Sequence, residues 1–370
     1  LQVTNAIQPY NQINSKLNLA VQAGGEVPDV SWVDTQYLDF YLNNGTLTDL
    51  TEYVRGSAWF GDLNPVALKG CTAPDGKIYC VPSNLSTRLI YYWTAAYPDG
   101  FPATTDELLR AAAELKKQGK YALTFKGTDA FAANVFYFSI VHTFGGKFGD
   151  ERGRAAWATP ETAKAVEFIR ALFAEGYAPE VDLGGGFDFE TPFKDGSAGA
   201  LAAGSWSYVY LNPLTSFDGK TFDDGAASVG NALRAGALGI APPLAAPGSR
   251  PVALVLSSAW GIPKGAKNVA GAKAFMDYLM TPAENLTFAL SYGGAPVLGQ
   301  AQKDPAFTNN AYWQAVIKVQ NENGAPPDLL VDYDKAVQKL SDTVVKLVQN
   351  PALDILTELQ KAQDEVNAGG

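Results

Sequence analysis

Apolar positions in this chain recur with helical spacing in one set of segments and run together in another. Tyr10 to Gln22 carries Ile13, Leu17, Ala20 and Val21 on one helical face. Thr35 to Asn44 reads as a short aromatic helix stopped by Gly45. Asp106 to Lys117 is amphipathic and ends at Gly119; Thr104 or Thr105 caps it, with Asp106 or Glu107 in its first turn. Asn134 to Phe144 is an apolar helix closed by Gly145-Gly146. Pro160 to Ala174 is a further helix, with Thr159 as N-cap and Gly176 at its end. Between them lie expected strands: Leu1 to Ala6, a buried run ending at Val33, a short strand closed by Pro82, the aromatic run Leu89 to Trp93, and Tyr121 to Phe125. Strands and helices alternating at these lengths predict an α/β architecture.

A length of 370 residues exceeds what one core usually serves, so two domains are expected. The chain is 47% apolar and 18% charged, a globular balance. A net charge of −10 without any basic block argues against a nucleic-acid partner. No window of about eighteen uninterrupted apolar residues predicts a membrane span; residues 236–263 come nearest and are broken by Pro242, Pro243, Pro247, Arg250 and Pro251. The start, LQVTNAIQ, lacks the charged and apolar regions of a signal peptide, which fits a mature secreted form or a fragment.

Cys71 and Cys80 flank the turn sequence APDG. A two- or four-residue loop sets them opposite one another, whereas a three-residue bulged loop, Pro74-Asp75-Gly76, sets Cys71 opposite Tyr79. A disulfide implies an oxidising compartment; the other reading is two buried thiols. His142 is the only histidine, inside the apolar run FYFSIVHTF, and reads as a core residue. One histidine leaves no His-rich metal cluster, and no Ser-His-Asp system except around His142 itself. Gly184-Gly185-Gly186 precedes aromatic and acidic residues instead of a Lys-Ser/Thr helix start, so it is a flexible loop, not a phosphate loop.

Residues 75–109 read DGKIYCVPSNLSTRLIYYWTAAYPDGFPATTDELL. Gly76, Lys77, Tyr79 and Pro82, then Tyr92 and the Thr-Asp-Glu-Leu helix start, resemble the first interlobe crossover of bacterial extracellular solute-binding proteins, the receptors of sugar ABC importers. Trp93 stands where that family usually has Asn. Further matches keep the family's order: Phe193-Lys194-Asp195-Gly196 with Ala200, Gly204 and Trp206; Leu238 to Pro243; Ser257 to Ile262 with Lys267, Asn268, Ala272, Phe275, Tyr278 and Leu279; and Gly293 to Val297. By this resemblance the chain is expected to start at the family's second strand, either as a fragment or with the amino-terminal lobe rebuilt. The resemblance implies a periplasmic-binding-protein-like type II fold, two interleaved α/β lobes joined by a hinge, with the ligand cleft between them. Residues 1–86 plus 252–309 would form the amino-terminal lobe and 87–251 plus 310–370 the carboxy-terminal lobe, with crossings near 84–88, 249–255 and 310–325.

By the same resemblance, ligand contacts are expected at Trp32, Asp34, Gln36 and Tyr37 on the first loop and at Trp206 after the AGALAAGS run; Tyr208 two residues on, Asn84 and Arg88 in the crossover, Ser258 and Trp260 on the return strand, where many relatives have small residues, and Gly293 are further candidates by position. Rings cover the apolar face of a pyranose and planar polar groups bind its hydroxyls. For several residues a bland role stays open: Asp34 as a helix N-cap, Arg88 as an ion-pair partner, and Trp32, Tyr208 and Trp206 as core. The function implied is a periplasmic or extracellular, possibly lipid-anchored, monomeric carbohydrate-binding protein that delivers its ligand to ABC transporter permease subunits, with no cofactor and no catalysis. The alternatives are a glycoside-acting enzyme using two carboxylates, such as Asp34 and Glu190, and a receptor for a non-sugar solute.

Overall fold

The computed structural model describes residues 2–368. Two compact units emerge, one formed by Leu1–Ser86 with Leu256–Asn309, the other by Thr87–Val255 with Asn310–Gly370.

In the first unit, Ser31–Asp34 pairs antiparallel with the end of the Ala253–Gly261 strand, Trp32 facing Trp260 and Asp34 facing Ser258. The first half of the Cys80–Trp93 strand lies beyond Ala253–Gly261, and Ala295–Pro296 pairs with it through Asn84 and Leu85. The helix Tyr10–Gln22 forms as its apolar spacing predicts. Thr35–Asn44 divides into a tight 3-10 turn, Thr35–Tyr37, and the helix Leu38–Asn43. The Thr35 hydroxyl donates to the Ser257 carbonyl at 2.9 Å, which ties the start of that turn to the neighbouring strand. Residues 2–9 form no strand: all are exposed, and a strand needs a paired neighbour to satisfy its backbone. Leu1, the start of that expected strand, lies outside the described residues.

The hairpin takes the three-residue form. Ala73 N donates to Lys77 O at 2.8 Å, Thr72 bridges Ile78, and Tyr79 N donates to Cys71 O at 3.0 Å. Cys71 and Cys80 are nonetheless joined by a disulfide, their Cα atoms 5.1 Å apart, because Cys71 sits at the end of the Pro65–Gly70 helix and turns toward the strand. Closing so short a loop restricts the unfolded chain by about 2–3 kcal/mol. A Cys71→Ser/Cys80→Ser variant is therefore expected to lose about that much stability in urea unfolding; an unchanged midpoint would contradict it.

The sequence suggests a strand stopping at Pro82 and another resuming at Leu89, but Cys80–Trp93 is one continuous strand. Proline's fixed φ suits extended backbone, and the polar run after it, Ser83 to Arg88, is buried and bonded to neighbouring strands. In the second unit its later half lies between Ala198–Gly204 and Leu238–Ala241, both antiparallel, and Tyr121–Phe125 pairs parallel with Ala198–Gly204. Trp93, the departure from the family pattern, is fully buried, stacked on Phe193 at 4.7 Å, with Nε1 donating to Phe193 O. Thr105–Lys117 starts on a full capping box between Thr104 and Glu107, and Pro160–Ala174 is capped by Thr159. The expected helix Asn134–Phe144 begins earlier and is irregular: Asp129–Ala132, a π-helical stretch Ala133–Tyr137, then Phe138–Thr143.

Candidate functional site

Antiparallel pairing puts residues directly opposite one another on the same sheet face. In the first unit this gathers four of the expected residues, Trp32 with Trp260 and Asp34 with Ser258, while Val33 between them turns to the core and is 1% exposed. The Ser258 hydroxyl donates to Asp34 Oδ1 at 3.3 Å, and Asp34 makes no side-chain cap for the following turn. The Trp32 ring lies 6.2 Å from Tyr292, which stacks on Phe288, and Phe288 tilts against Trp260 at 5.4 Å. Gly293 follows Tyr292 in the left-handed conformation, φ 82°, that ends its helix.

Three of the expected residues of this unit carry buried polar atoms with no hydrogen-bond partner among the described residues: Gln36 Oε1, Asn84 Oδ1 and Trp260 Nε1. Asn84 is 0% exposed, and its amide nitrogen is within reach of Ser83 Oγ only at 3.3 Å. An unmade buried hydrogen bond costs about 1–3 kcal/mol, so such atoms are kept where something else completes them. Tyr37 is buried beside Gln36.

In the second unit the site centres on Trp206. The Cys80–Trp93 strand places Arg88 directly across from Gly204, and the chain turns immediately after Gly204. A Cβ on Gly204 would lie 1.7 Å from the Trp206 ring, so the indole folds back onto bare backbone. The Arg88 guanidinium, 4% exposed, covers the ring 4.7 Å from its centroid, and Arg88 Nε donates to Asn134 O at 2.9 Å. Phe131 approaches the half-buried indole at 5.7 Å. Tyr208 belongs to another set of rings, stacked on buried Tyr312 at 4.3 Å and tilted against Trp313.

Two carboxyls behind this surface are buried. Burial pushes Glu190 above the ordinary carboxylate range, against the opposing hydrogen bond from Ser207 Oγ and the charge of Lys194. Burial pushes Asp182 well above it, against the opposing contacts of Thr124 Oγ1 and the Phe125 amide. Thr124 Oγ1 lies 2.6 Å from Asp182 Oδ1 and 2.5 Å from the Phe189 carbonyl. A hydroxyl has one proton and the carbonyl can only accept, so a protonated Asp182 completes the chain: Asp182 donates to Thr124, and Thr124 to Phe189.

His142 is placed as structural. Its Nδ1 faces the Phe138 carbonyl at 3.0 Å, its Nε2 faces Asp328 Oδ1 at 3.1 Å, and its ring stacks on Phe138. Burial alone would raise the Asp328 carboxyl, but hydrogen bonds from His142 and the Phe148 and Gly149 amides hold it below the usual range. Among the described residues no group of three or more His, Cys, Asp or Glu is placed to hold a metal ion.

Phe131 and Asn134 were not expected from the sequence. The irregular helix that starts at Asp129, whose φ of 61° is left-handed for a non-glycine residue, brings Phe131 to Trp206 and Asn134 to Arg88. A lone aromatic in DAFAAN carries no spacing signal, whereas Trp206 was marked by its surrounding motif.

The pattern of the bacterial extracellular solute-binding proteins matches residues 1–315 of the chain. The arabinooligosaccharide-binding protein of Halalkalibacterium halodurans is 22% identical over 223 residues, 57% of this chain and 48% of that protein, so the match spans about half of the relative's length. Among solved structures, maltose-bound MalE3 of T. maritima superposes with a TM-score of 0.81 at 20% identity, covering 96% of this chain and 88% of the other. The GacH receptor of Streptomyces glaucescens, solved unliganded and with acarbose, gives 0.82 at 18% identity, covering 97% and 87%. UgpB of Mycobacterium tuberculosis, bound to glycerophosphocholine, gives 0.79 at 20%, covering 99% and 89%. These likenesses show a mixed α/β fold of the periplasmic-binding-protein kind.

Proposed function

This chain belongs to the bacterial extracellular solute-binding protein family, and we propose that it is the receptor of an ABC importer for a mono- or oligosaccharide or a sugar derivative. It works outside the cytoplasm as a monomer and hands its ligand to membrane permease subunits. The observation that carries the sugar reading is the Trp206 indole, half-buried and held in place by contact with the bare backbone at Gly204 and with the Arg88 guanidinium. A ring fixed before binding loses little entropy when a pyranose stacks on it. Trp32, Asp34, Gln36, Tyr37, Asn84, Ser258, Trp260 and Gly293 supply further rings and hydroxyl partners in this reading, and the unpartnered atoms of Gln36, Asn84 and Trp260 support it. The disulfide fits an oxidising compartment, and no described helix is long and apolar enough to cross a membrane.

Thermal-shift screening against sugars, sugar acids, polyols, glycerophosphodiesters and amines tests this. A ligand at one hundred times its Kd stabilises by about 2.7 kcal/mol, a rise of several degrees. Sugars or their derivatives are expected to produce it. Stabilisation by amines or peptides alone, or turnover of a glycoside by the purified protein, would overturn the proposal.

A further inference from the structure

The first unit holds a cavity of about 770 Å³ that shares no residue with the sugar site proposed above. Two stretches far apart in the chain build it. The helix Thr51–Gly56 and the turn Phe60–Asp62 come from one, and the end of Val269–Leu279 with the start of Pro282–Tyr292 from the other. Its size suits a small organic molecule, for which pockets of about 300–1,000 Å³ are usual.

Three carboxylates stand in its wall, Glu52, Asp62 and Asp277, and no lysine, arginine or histidine does. Among the described residues they are not gathered to hold a metal ion. Asp277 Oδ1 accepts from the Tyr53 hydroxyl at 2.8 Å and from Trp59 Nε1 at 3.0 Å, which fixes the two rings edge to face, 6.1 Å apart. No bond among the described residues engages Asp277 Oδ2. Lys273, one turn earlier, lies over the Tyr53 ring at 5.1 Å and makes no ion pair with Asp277. Asp277 also sits in the last turn of its helix, where the macrodipole disfavours an anion and no basic residue offsets it. Local helix stability therefore does not account for this carboxylate. Buried Met280 and Leu298 add apolar wall beside the half-buried Trp59. Carboxylates next to an aromatic face and apolar carbon are the groups that recognise an organic cation.

We propose that this cavity is a second ligand site, which takes a small organic cation, an ammonium group on an apolar body. The ammonium lies against Asp277 Oδ2 and the Trp59 ring, and the body against Met280 and Leu298. Glu52 and Asp62 add negative potential around it.

Calorimetry at pH 7 with benzylammonium, benzyltrimethylammonium and uncharged benzyl alcohol tests this on wild type, Asp277→Asn and Trp59→Leu. Wild type is expected to bind the two cations at least roughly tenfold more tightly than the alcohol. Asp277→Asn is expected to raise the cation Kd values roughly tenfold and to leave that of the alcohol unchanged. Its unfolding midpoint is expected near wild type, because an amide oxygen still accepts from Tyr53 and Trp59. Trp59→Leu, which keeps apolar bulk without the ring, is expected to weaken both cations severalfold. Failure of wild type to bind either cation, equal affinity for the alcohol, or unchanged cation Kd values in either variant would overturn the proposal. Asp277→Asn is also expected to keep the wild-type response to sugars; loss of that response would show that the site is not a separate one. The cation result does not depend on whether sugars bind, so the two readings fail independently.

Discussion

Replacing Trp206 by alanine is expected to weaken binding of the sugar that stabilises the wild-type protein by about 2–3 kcal/mol, roughly 30- to 150-fold in Kd, the scale of a central aromatic contact. The fold is expected to survive, because the indole is half-buried and packs chiefly on Arg88, Phe131 and the backbone at Gly204. A second substitution separates the presence of the ring from its position. At Gly204 an added Cβ would lie 1.7 Å from the ring, so Gly204→Ala must push the indole aside. Gly204 does not have a positive φ and its pairing with Arg88 uses backbone alone, so the strand itself accepts alanine. Gly204→Ala is therefore expected to lose affinity on the scale of Trp206→Ala, with unfolding midpoints near wild type and a shifted tryptophan emission. Wild-type affinity in Trp206→Ala would remove the stacking role. Wild-type affinity in Gly204→Ala would show that the ring need not sit where it does.

Local chemistry carried much of the fold and little of the site. Pro160–Ala174 was legible to the residue because Thr159 caps it, Pro160 suits the first turn, and Gly176 ends it with φ 62°. Cys80–Trp93 was misread as two strands because Ser83 to Arg88 looks like a polar linker. Those side chains are buried and bonded to residues far along the chain, such as Ser83 to the Ser258 carbonyl and Arg88 to Asn134. Polar composition reports solvent only when no tertiary partner waits. At the site, Trp32, Asp34, Ser258 and Trp260 were named by resemblance, and the register that puts them on one face came only with strand pairing. Phe131 was invisible because its place beside Trp206 comes from a helix that starts at Asp129, ahead of the apolar run the spacing marks.

Removing the Asp182 carboxyl is expected to cost about 2–3 kcal/mol in stability. Asp182→Ala leaves the buried Phe125 amide without a partner, worth about 1–3 kcal/mol, and takes from Thr124 one of its two partners while its bond to the Phe189 carbonyl stays. Asp182→Asn is expected to retain most of that stability, since an amide accepts from Phe125 and donates to Thr124 as the protonated acid does. The two side chains differ in their response to pH. A carboxyl raised by burial binds its proton more tightly in the folded state than in the unfolded one. Its contribution is fully present below the ordinary carboxylate range and is lost as pH rises through the folded value. Wild type should therefore lose stability relative to Asp182→Asn as pH is raised from 4, with a limiting slope of about 1.4 kcal/mol per pH unit where the site titrates. Taking the difference between the two proteins cancels Glu190 and Asp328, which titrate in both. Urea unfolding across pH 4–9 reads this directly. A constant difference, or one that grows in favour of wild type with pH, would show that Asp182 is ionised in the fold and that Thr124 does not relay its proton to Phe189.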